Sequence, residues 1–119
     1  DTWMPAQDLG LLGDFTNSTA LGTDAMGSTI VGSSGTFNET TFEFTQRAVL
    51  WERKRNPDNT WGPFSPPQDV MNLLQAAGLA KQVDAAWQHQ AKRISMQERY
   101  IIGDSHHNGI RQAWVAQLP

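Results

Sequence analysis

Leu79-Ala80-Lys81-Gln82-Val83-Asp84-Ala85-Ala86-Trp87-Gln88-His89-Gln90-Ala91-Lys92-Arg93-Ile94 is the stretch on which the fold reading turns. At helical spacing, Leu79, Val83, Ala86, Trp87, Ala91 and Ile94 make one apolar stripe that extends to Ile101. Ser95 with Glu98 matches a capping box, a signal for a break. The stripe runs through it, so the spacing predicts one helix from about 80 to 102 with Gly103 as its cap. Upstream, Ser65-Pro66-Pro67-Gln68-Asp69 has the residues of a helix start. Val70, Leu73, Leu74 and Ala77 then share a face, and Gly78 stops the run. Downstream, Asp104 or Ser105 opens a third helix carrying Ile110, Ala113, Trp114 and Leu118.

Moving towards the N-terminus, Phe37 to Arg55 reads as strand. Phe42, Phe44, Ala48 and Leu50 take one face; Arg47, Val49 and Trp51 take the other. Asn56-Pro57-Asp58-Asn59 is a turn, and Thr60-Trp61-Gly62-Pro63-Phe64 returns as the second arm of a hairpin. Residues 10–41 are rich in Gly, Ser, Thr and Asn, with apolar residues scattered among them. A pure linker would not carry those. The expected architecture is therefore a single α+β domain. Residues 1–36 form an extended arm or irregular strands, and 37–119 form a body with a small antiparallel hairpin or sheet followed by about three helices. Phe42, Phe44, Leu50, Leu74, Val83, Trp87, Ile94, Ile101 and Trp114 are its expected core.

With 119 residues, one domain is expected. The chain has no cysteine, which removes disulfides, thiol nucleophiles and cysteine metal sites. No apolar run is long enough to span a bilayer as a helix. Charge is unevenly spread. Residues 1–46 hold six acidic and no basic side chains, and residues 47–119 hold all nine Lys and Arg against six acids. Segments of opposite sign pack on each other, or on the complementary segment of a neighbouring copy. The first residue is Asp1, as expected after removal of a signal peptide, propeptide or larger precursor, or at a cloning boundary.

Candidate site residues fall into two groups. His89, His106 and His107 are the groups suited to acid–base work near neutral pH, with Glu52 and Asp104 as orienting carboxylates. Glu52-Arg53-Lys54 alone is half of a metal-dependent nuclease pattern without its upstream acid, so no metal or cofactor is expected. The second group lies around the turn. Trp51 and Trp61 flank it, Asp58 and Asn59 supply polar atoms, and Arg53, Lys54 and Arg55 supply charge. An aromatic platform of that kind suits a sugar ring or a protein partner. Three cations are too few to mark a nucleic-acid protein of net charge −3. Gly27 to Ser34 has phosphate-loop glycine spacing but lacks the lysine, and Asn17-Ser18-Thr19 and Asn38-Glu39-Thr40 are glycosylation sequons.

Two function classes follow. The first is a non-catalytic structural or protein-interaction domain of an extracellular, cell-surface or virion assembly, binding a protein partner or copies of itself. The alternative is a small histidine-dependent hydrolase or nuclease of toxin-effector type, released from a precursor.

Overall fold

The computed structural model describes residues 6–78, 88–94, 100–107 and 109–117. Among these residues are two antiparallel sheets and one short helix. The first sheet has the order β1 (Asn17–Thr23), β2 (Thr29–Asn38), β3 (Glu43–Glu52) and β4 (Gln68–Asp69), followed directly by helix α1 (Val70–Ala76). The second sheet has the order β5 (Gln88–Ile94), β6 (Tyr100–His107) and β7 (Ile110–Gln117).

The α+β expectation is overturned, because the described parts of two of its three helices are strands. Residues 88–94 and 100–107 pair antiparallel from Gln88↔His106 to Ile94↔Ile101, and β7 continues the sheet from His107↔Ile110 to Tyr100↔Gln117. The helix stripe misled because Ile101, Trp114 and Ala116 reach the core equally well at a period of two. Of the expected helices, the one after Asp69 is present. Asp69 is its N-cap, accepting the Asn72 N–H at 3.1 Å, and Val70 and Leu74 are buried.

Residues 1–36, expected as an extended arm or irregular strands, form in their described part the N-terminal segment of the first sheet. Its residues supply β1 and most of β2, and β2 runs across the boundary at 36 while pairing with β3 along its whole length. Its glycines serve close approach rather than flexibility. A Cβ on Gly32 would lie 1.9 Å from the Thr19 carbonyl oxygen of β1. The β1–β2 turn is tied by the buried Asp24 carboxylate, which accepts the backbone N–H of Ser28 at 2.8 Å and the Ser28 hydroxyl. The hairpin expected around Asn56–Asn59 is reduced to a single bridge, Arg55 to Trp61.

The core lies between the layers. Val31 of β2 with Ala48 and Leu50 of β3 meets Val70 and Leu74 of α1 and Ile101 of β6, and Trp114 and Ala116 of β7 flank them. β5 lies against β1, β2 and β3 and joins the sheets. Leu50, Leu74 and Ile101 are buried as expected, and Trp114 partly so. Phe42 is 79% exposed and Phe44 is exposed too, so neither belongs to the core. Val83 and Trp87 lie outside the described residues, as does the side chain of Ile94. On the opposite face of β3, Val49 and Trp51 are fully buried. Residues 9–15 pass that face, with the Leu12 N–H donating to Ser34 Oγ at 3.1 Å.

Candidate functional site

The histidines separate across the second sheet. His89 on β5 stands directly opposite Ser105 on β6, with Nδ1 and Oγ 2.6 Å apart, and both are buried on the inner face. His106, one residue on, points to the outer face, because side chains alternate along a strand. There its Nε2 lies 3.3 Å from Asp104 Oδ1, and Lys92 Nζ lies 3.2 Å from Asp104 Oδ2. Asp104 and His106 meet as expected, through strand alternation rather than a turn. His107 stands opposite Ile110 in the ladder, and its side chain lies outside the described residues. Glu52 ends β3 in the first sheet, paired with Thr29. The expected catalytic set is thus spread over two sheets and two faces. Ser105, which meets His89, is read from sequence only as a possible helix start, since nothing marks a serine whose partner is set by cross-strand register. Among the described residues, no group of three His, Asp or Glu is arranged to hold a metal ion, and no helix is long and apolar enough to cross a membrane.

The turn residues do come together, in a different arrangement from a tryptophan pair. Trp51 is fully buried and pairs with Ile30, and its indole N–H meets no acceptor among the described residues. Trp61 instead carries two guanidiniums. Arg53 Cζ lies 4.5 Å from the ring centroid and Arg55 Cζ 4.2 Å from it. Arg53 also lies 4.8 Å from the centre of the Phe64 ring. Backbone carbonyls fix both arginines: Arg53 Nε donates to Gly27 O at 2.9 Å, and Arg55 Nη1 donates to Asn59 O at 2.8 Å. Asp58 is exposed and accepts from the Thr60 hydroxyl and N–H, which holds its carboxyl below the ordinary 3.8. Lys54 is exposed beside them. Cation–π contacts order the guanidiniums, leaving their remaining N–H edges for an anion. They also occupy ring surface on which a sugar would stack.

Two exposed apolar patches were not singled out from sequence. At the β2–β3 tip, the Phe37 and Phe42 rings meet edge to face at 6.3 Å, and Phe42 sits in the left-handed region with φ 57°. On the outer face of the second sheet, Ile102 (49% exposed) stands opposite Val115 (65% exposed). With Lys92 and Ala113 they line a shallow hollow of ≈ 420 Å³, and Asp104, His106 and Arg111 lie along the same face. The signal for this face lies in the two-residue alternation of β6 and β7, which a helical reading conceals. Comparison with protein-family models, with curated proteins and with solved structures returned no match.

Proposed function

We propose that this chain is a non-catalytic interaction domain, a building part of an extracellular, cell-surface or virion assembly that contacts copies of itself. The observation that carries the reading is the outer face of the second sheet. Ile102, Val115 and Ala113 form an apolar centre beside Lys92, Asp104, His106 and Arg111. An apolar centre with a charged rim is the anatomy of a protein contact. The same face borders β7, which among the described residues has β6 as its one neighbour in the sheet and so offers an open edge. Sedimentation velocity over a range of concentrations tests the reading. The wild-type chain is expected to self-associate, and Ile102→Lys with Val115→Lys is expected to weaken that association. A wild-type chain that stays monomeric at every concentration contradicts it.

The hydrolase alternative rests on the His89–Ser105 pair, a base beside a hydroxyl. That pair faces inward between the sheets, where a substrate would have to displace the core.

A further inference from the structure

The ends of β3 differ in chemistry. At its N-terminal end is the tip of the β2–β3 hairpin, where the exposed Phe37 and Phe42 rings are flanked by the exposed acids Glu39 and Glu43. At its C-terminal end is the patch of Arg53, Lys54 and Arg55 with Trp61 and Phe64. The ten residues of β3 set the two ends roughly 33 Å apart by strand rise. The molecule is elongated, 48 × 31 × 23 Å.

Among the described residues, neither end satisfies its charges by ion pairs. No ion pair is made by Glu39 or Glu43 among the described residues, nor by Arg53, Lys54 or Arg55; the one carboxylate on the basic turn, Asp58, is held by Thr60. The tip offers two carboxylates around an aromatic ring. The base offers cations ordered on an aromatic ring, whose remaining N–H edges donate to carboxylates.

We propose that these ends bind each other between copies: the acidic, phenylalanine-bearing β2–β3 tip of one copy docks on the Arg53–Lys54–Arg55–Trp61 patch of the next. The occupant is a second copy of this chain because the charge that complements the patch is carried by the chain's own opposite end. A contact between two different surfaces of one subunit is head-to-tail. It propagates as a filament or closes as a ring, rather than stopping at a symmetric dimer. The positive φ of Phe42 in the turn fits this use, because its ring stays exposed at the tip. This inference rests on the interaction-domain reading and adds a second surface to it.

The test uses the full chain carrying Ile102→Lys and Val115→Lys, so that outer-face contacts are removed. Three proteins are compared by sedimentation velocity: this parent, a tip variant (Glu39→Gln, Glu43→Gln, Phe42→Ser) and a base variant (Lys54→Gln, Arg55→Gln). All substitutions are at exposed positions, and far-UV circular dichroism checks the fold of each. The parent is expected to form oligomers that dissociate in high salt. Each variant alone is expected to be monomeric, its dissociation constant raised at least about tenfold. An equimolar mixture of a tip-altered and a base-altered copy keeps one intact tip and one intact base, so it is expected to give dimers and nothing larger. A monomeric parent, or a mixture that stays monomeric, overturns the head-to-tail contact. If the wild-type chain still associates through its outer face in those cases, the interaction-domain reading stands; if the wild type is monomeric too, both fall.

Discussion

Gly103 pairs with Trp114 in the second sheet, and the indole lies over it. A Cβ there would meet the Gln90 carbonyl oxygen at 2.0 Å and the Trp114 ring at 2.5 Å. Gln90 is backbone of the neighbouring strand, so the ladder itself would have to open. Gly103→Ala is therefore expected to cost about 3 kcal/mol, the upper end for an overpacked site, read as a lower urea midpoint. An unchanged midpoint would show that the strands sit further apart. Asp58 gives a second expectation at this scale. Its carboxyl is held low by the Thr60 hydroxyl first and the Thr60 N–H second. A group whose folded pKa lies below its unfolded value adds stability above the unfolded value and loses it as pH falls through the folded one. That contribution is thus lost in acid, below about pH 4. An NMR titration should find Asp58 below the ordinary carboxylate range in the wild type and closer to it in Thr60→Val. Equal titrations in the two proteins would remove Thr60 as the cause.

At the scale of elements, Asp69 has two tasks. It caps α1, and its Oδ2 accepts from Arg47 Nε at 2.8 Å, with both side chains close to 90% buried. Arg47 lies on β3, so this pair ties the helix to the sheet on the face opposite Leu50. Removing one partner of a buried pair leaves a buried charge. Asp69→Ala is expected to cost about 3–5 kcal/mol in urea unfolding, and Asp69→Asn less, because the amide oxygen still caps. Equal costs would mean that the lost charge dominates and the cap adds little.

The helix at 70–76 was legible because capping signals are local: Asp69, the prolines before it and Gly78 after it all act within the chain segment itself. The strand at 43–52 was legible because Ala48 and Leu50 alternate with Arg47, Val49 and Trp51. The second sheet was not read, although one local signal was there. The β6–β7 ladder closes at His107↔Ile110 and leaves only Asn108-Gly109 between the strands. Asn-Gly between apolar alternations is a strong two-residue hairpin signal, and Gly109 has the positive φ of 77° that such a turn needs. The strands at 17–23 and 29–38 were obscured for another reason. Glycine in a strand looks like turn chemistry until the neighbouring strand that crowds Gly32 is known. Of the site, the Arg53–Trp61–Arg55 cluster was legible as a composition of residues around a turn. The partition of the histidines between faces was not, because it depends on strand parity.

For the whole molecule, the decisive feature is that both sheets share one core. Leu50 from the first sheet and Ile101 from the second are fully buried in the same cluster. Ile101→Ala should cost about 2–5 kcal/mol and lower the unfolding midpoint of both sheets together, as one transition by fluorescence and by circular dichroism. Separate transitions would make the sheets independent. Surfaces outside that core then define what the domain does: an acidic aromatic tip, a basic aromatic base and an apolar outer face. Amide hydrogen exchange of the wild-type chain, dilute and concentrated, tests this most directly. Exchange is expected to slow on concentration at 38–44 and 53–61 and along β6 and β7, with the amides of α1 unchanged. Identical exchange at both concentrations, or slowing spread evenly over the chain, would contradict an interaction domain built on these surfaces.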